Sequence, residues 1–144
     1  MDDDWESFEP WPDSEERVEI RRGFDASPYQ MPSYEEITFS PRDNSEIELS
    51  GWYVEVESGA PVVILTHGMP VNGKCKPEML LMQGYLAEGG INTLSFDLRN
   101  YGNSDVVDDF VSVGQKEYKD LLGAYDWLIS CLLYTSPSPR DQEA

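Results

Sequence analysis

The chain is short of positive charge. Its 144 residues carry 28 Asp and Glu against 10 Lys and Arg, a formal net charge of −18. Such a polyanion repels nucleic acid and anionic lipid, so neither is expected as a partner. Histidine occurs once, at His67, and cysteine twice, at Cys75 and Cys131. A lone histidine without a cysteine or carboxylate cluster is a poor metal site, and two cysteines do not make a disulfide framework. No metal and no cofactor is expected, and a reducing, cytoplasmic location is the default. There is no apolar run of membrane-spanning length and no apolar amino-terminal segment, so neither a membrane span nor a signal peptide is read. Glycine is absent after Gly123.

What remains is the composition of a folded domain: 40 % hydrophobic residues, with 4 Trp and 8 Tyr. Residues 1–30 are acidic and broken by Pro10, Pro12 and Pro28, which reads as an extension whose Trp5, Phe8 and Trp11 could pack back. Tyr34 to Ser40 and Ile47 to Val56 alternate around a polar turn at Pro41-Arg42-Asp43-Asn44-Ser45, the pattern of an antiparallel hairpin with the first run at an edge. Val62 to Thr66 and Ile91 to Phe96 are apolar runs of buried-strand type. Between them Pro77 suits the first position of a helix and Glu78 its first turn. Met79, Leu80, Met82, Leu86 and Ala87 supply that helix with an apolar face, and Gly89-Gly90 ends it. A second helix is expected from near Gln115 to near Ile129. Tyr118, Leu121, Leu122, Tyr125, Leu128 and Ile129 form its apolar stripe, with Lys116, Lys119 and Asp120 facing water.

Each apolar strand ends in a polar, glycine-bearing loop, His67-Gly68-Met69-Pro70 and Asp97-Leu98-Arg99-Asn100-Tyr101-Gly102-Asn103-Ser104. A helical crossover between parallel strands puts both loops at one carboxyl edge, where open α/β sheets bind ligands. From Tyr34 to Ile129 this order of elements and loops resembles the α/β-hydrolases, bacterial hydrolases of the esterase, lipase and serine-peptidase-like kind. The resemblance implies an α/β fold, the amino-terminal half of an α/β-hydrolase sheet over residues 31–129. It implies a serine-type hydrolase cleaving the ester, thioester or small amide of a small-molecule acyl substrate.

By that resemblance the backbone N–H of Met69 serves the oxyanion hole, and His67 and Gly68 shape its loop. Preorganised donors of this kind stabilise a tetrahedral oxyanion. The family's catalytic histidine comes late in the chain, so His67 is not the expected base. Asp97, Arg99, Gly102 and Ser104 match the second loop, where they are expected to brace rather than react. Ser104 imitates a nucleophile elbow for three positions but lacks the closing glycine. The Gly-x-Ser-x-Gly elbow, the acid and the base would follow Ile129, and with no glycine there the triad is expected to be absent and the chain inactive by itself. Residues 130–144 read as a non-native Ser/Pro tail, and Val62–Thr66 as an edge left open by a missing strand.

Two other readings stand beside this one. The first is a non-catalytic module that keeps only the fold. The second is a P-loop nucleotide-binding protein, because Gly68 to Lys74 fits G-x-x-x-x-G-K after a strand, with Asp97 as the magnesium-side acid. Against it, Cys75 replaces the metal-binding hydroxyl, Pro77 falls where the phosphate-bearing helix should be running, and Arg99, Gly102 and Ser104 go unexplained.

Overall fold

Alternation and apolar runs become four strands: β1 (Glu35–Phe39), β2 (Leu49–Val54), β3 (Val62–Thr66) and β4 (Asn92–Phe96). Two helices accompany them, α1 (Pro77–Glu88) and α2 (Tyr118–Thr135), with single 3₁₀ turns at Ser27–Tyr29 and Gly73–Cys75. The structure, a computed structural model, describes residues 25, 27–68, 73–108, 112 and 114–135, without the side chains of 133–135. The expected packing of Trp5, Phe8 and Trp11, the oxyanion residue Met69 with Pro70, and the end of the tail at 136–144 lie outside the described residues.

The sheet order is β1-β2-β4-β3. β1 and β2 form the antiparallel hairpin, β2 pairs antiparallel with β4, and β3 pairs parallel with β4. Thr66 lies opposite Phe96, so the loops after β3 and β4 leave the sheet side by side. α1 makes the crossover between these strands. It begins at Pro77, as the proline predicts, with Glu78 in its first turn.

The two faces of the sheet differ. On one, Ile37, Phe39, Leu49, Leu94 and Phe96 pack with Ala124 and Leu128 of α2, Phe39 meeting Phe96 edge-on at 5.4 Å. Burying each of these large side chains contributes roughly 1.5–3 kcal/mol. The other face is more polar. Gln83 of α1 donates to Thr93 Oγ1 at 3.0 Å, while Gln83 Oε1 and Ser95 Oγ are buried without a partner.

Several expectations are corrected. β4 is buried along its whole length, but β3 is only half-buried because it stands at the sheet edge. α1 buries Gln83 and Gly84 and leaves Met82 exposed. α2 starts at Tyr118, after a turn at 114–117, and runs past Ile129 to Thr135. Tyr118, Leu121, Tyr125 and Ile129 of its stripe are exposed, and Asp120, placed in water by the pattern, is wholly buried. The helix is turned by what it meets. Asp120 is drawn in by Arg99, and Gly123 lies against the backbone of Ser40 and Pro41.

Gly84 and Gly123 are contact points. A Cβ at Gly123 would stand 2.8 Å from Pro41 Cα and collide with Ser40 O, and one at Gly84 would stand 2.6 Å from Tyr29 C. Ala normally favours a helix over Gly by about 1 kcal/mol. Here Gly123→Ala and Gly84→Ala are expected to destabilise, each by about 1–3 kcal/mol. Urea denaturation checks the sign.

Candidate active-site edge

β3 delivers His67 and β4 delivers Asp97 to the same edge. The His67 ring is buried and reaches across: its Nε2 accepts the Leu98 N–H at 3.0 Å, and Nδ1 lies 2.9 Å from Gly68 O. Accepting at Nε2 places the proton on Nδ1, the neutral tautomer. Burial lowers the His67 pKa from its ordinary 6.5. Tyr101 meets the ring edge-on at 4.8 Å.

Asp97 is 1 % exposed and its carboxylate gathers three groups. It accepts the Lys74 N–H at 2.6 Å and the Asn103 N–H at 3.0 Å, and it pairs with the Lys74 ammonium. Lys74 Nζ also donates to Ser50 Oγ at 3.2 Å and lies 4.8 Å from the centre of the Trp52 ring. Gly73 and Gly102 take φ of +50° and +48°, and a Cβ on either would run into the Asp97 carboxylate. Glycine is required twice over at both positions, by the left-handed backbone and by the space.

Ser104 Oγ is engaged on both sides. It donates to Asp97 O at 2.5 Å and accepts from Ser50 N at 2.9 Å. Arg99 donates to Asp120 through its backbone N–H and Nε, both at 2.9 Å, and to Asp43 at 2.9 Å. Burial opposes charge on Arg99, but these carboxylates outweigh it and raise its pKa. Burial, helped by the nearby Asp43 charge, pushes the Asp120 carboxyl above its ordinary value against the opposing pull of the Arg99 hydrogen bonds and charge. Arg99 holds Asp120 by two hydrogen bonds and an Nη2–Oδ1 ion pair at 2.7 Å.

This fold has counterparts among solved structures. The esterase Pf2001 of Pyrococcus furiosus aligns at 29 % identity and TM-score 0.58, over 73 % of this chain and 38 % of that one. The Agrobacterium tumefaciens protein ATU1826, an α/β-hydrolase by assignment rather than by known function, aligns at 26 % and 0.57, over 67 % and 43 %. The lidless α/β serine hydrolase XC6422 of Xanthomonas campestris, at 17 % and 0.51 over 70 % and 47 %, bears on the fold alone. The fold is that of an α/β-hydrolase, in part. The chain spans less than half the length of these structures. No protein-family model and no curated protein matches the sequence.

Within this α/β-hydrolase fold the P-loop reading loses its lysine. Lys74 is wholly buried on Asp97, the residue that reading assigns to magnesium. Among the described residues no group of three or more His, Cys, Asp or Glu could hold a metal, and no helix is long and apolar enough to cross a membrane. Sequence reasoning missed the Lys74–Asp97 pair. The available signal was a basic residue beside a glycine, just beyond an apolar strand, in a chain with few bases.

Lys74→Met is expected to cost about 3–5 kcal/mol by leaving Asp97 buried without its countercharge. Denaturant unfolding at neutral pH checks it. His67 gives a pH signature. The unfolded chain takes up the imidazole proton more readily than the folded one. The His67 contribution is therefore complete above about pH 6.5 and lost as pH falls through the lower folded value. The urea midpoint should fall more steeply on the acid side in wild type than in His67→Ala. That variant should also lose about 1–3 kcal/mol at neutral pH through the orphaned Leu98 N–H.

Proposed function

We propose that this chain is the amino-terminal part of a serine-type α/β-hydrolase acting on an ester, thioester or small amide. The carrying observation is the junction of the two loops, where His67 accepts the Leu98 N–H and Asp97 holds Lys74 and Asn103. An acyl-transfer site needs hydrogen-bond donors that do not move as charge develops. A loop fixed at His67 on one side and Lys74 on the other is suited to supply one from Met69. His67, neutral and bonded through both ring nitrogens, shapes that loop and is not the base.

In the proposed reaction a base takes the serine O–H proton as that oxygen attacks the acyl carbonyl, whose electron pair moves onto oxygen. That oxyanion is met by the Met69 N–H. Its collapse breaks the bond to the alcohol, thiol or amine, which leaves with that proton. Water then hydrolyses the acyl-serine by the same steps to release the acid and restore the serine. Ser104 does not fit the nucleophile, because its hydroxyl is spent on Asp97 O and Ser50 N. The 144 residues contain no Gly-x-Ser-x-Gly, so the nucleophile, acid and base are assigned to sequence that this chain does not carry.

A fluorophosphonate probe tests this reading. The 144-residue chain should remain unlabelled, while a form extended in frame from the genomic sequence should label at a serine within a newly encoded Gly-x-Ser-x-Gly. Labelling of Ser104, or an extended form that stays unlabelled, contradicts it.

A further inference from the structure

Among the described residues the buried Lys76 ammonium has no countercharge. It caps the start of α1, is 6 % exposed, and reaches back to Gly68 O at 2.8 Å. Among the described residues that carbonyl is its one hydrogen-bond partner, and no carboxylate pairs with it. Lys74, two residues earlier, shows how this fold satisfies such a group: a carboxylate, a hydroxyl and a ring face surround it. An ammonium has three N–H donors, and taking one out of water costs several kcal/mol unless charge or hydrogen bonds compensate. Lys76 has neither in full.

The location adds to the chemistry. Gly68 is exposed and opens the loop that follows β3, so the ammonium lies against the candidate active-site edge. The first turn of α1 has no side-chain cap and contributes a further partial positive charge. In a chain of net charge −18, two of the 10 bases are buried at this one spot. A buried, unpaired charge in a site region is a group held ready for a ligand of opposite sign.

We propose that Lys76 binds an anionic oxygen of the substrate, which makes the substrate an acyl compound bearing a carboxylate. The substrate class depends on the hydrolase reading, whereas the anion site depends on Lys76 alone. Gly68 O holds the ammonium in place and leaves two N–H groups for the carboxylate. Lys74 cannot take this part, because its charge is already met by Asp97.

The test is an NMR titration of the 144-residue chain at constant ionic strength, with monomethyl glutarate as the anionic probe and dimethyl glutarate as its neutral counterpart. The anionic ester should shift the Gly68 amide and Lys76 side-chain signals saturably, and the neutral ester should not. Lys76→Gln should weaken binding about tenfold or more, and Lys76→Arg should retain it. Equal shifts with both esters, or unchanged binding in Lys76→Gln, overturn the site. If Lys76→Gln does not fold, the two esters on wild type still decide. Anion binding beside an extended chain that resists fluorophosphonate keeps the site and removes the hydrolase. Labelling without anion binding does the reverse.

Discussion

The buried carboxylate of Asp97 is the constraint on which the edge depends. β4 carries it to the sheet end, and the Asp97 N–H bonded to Ser50 O at 2.9 Å fixes its backbone. A charge at that depth is tolerable only with a full set of partners. Lys74 supplies an ammonium and an amide, and Asn103 a second amide. The partners come from both loops, so satisfying one carboxylate welds the two together. The glycines at 73 and 102 follow from the same demand, since nothing larger fits against the carboxylate.

A second ion cluster extends this junction outward. Arg99 ties the loop after β4 to Asp120 on α2 and to Asp43 in the hairpin turn. Arg42 in the same turn donates to both carboxylate oxygens of Asp126, farther along α2. That outer pair is half exposed and screened by water, so it contributes little, whereas the Arg99 pair is desolvated and strongly geometric. The apolar core beneath α2 and the ion cluster at its amino end therefore orient the helix jointly. A site held by elements that are themselves packed loses little order when charge develops in it.

Much of this fold was legible because period and punctuation are local signals. Pro77 marked the start of α1, Gly89-Gly90 its end, and the runs from Val62 and Ile91 the two parallel strands. What failed was long-range. The stripe of α2 predicted a buried Tyr118–Ile129 face, yet Gly123 and Asp120 turn a smaller face to the sheet, because a close backbone approach and an arginine decide the rotation. Asp120 looked like a surface acid for lack of any local sign that Arg99 lay beside it. In the candidate site the loop residues were visible as motifs, but Lys74 suggested a phosphate and Lys76 nothing. Their meaning lies in partners 23 and 8 residues away.

Native-state hydrogen exchange reads the central claim directly, residue by residue. If the Asp97 carboxylate and His67 make one unit of the two loops, the amides of Lys74, Leu98 and Asn103 exchange with one common opening free energy, close to that of global unfolding. Exchange of Lys74 and Asn103 at the rate of free surface loops, with Leu98 still protected, would contradict it.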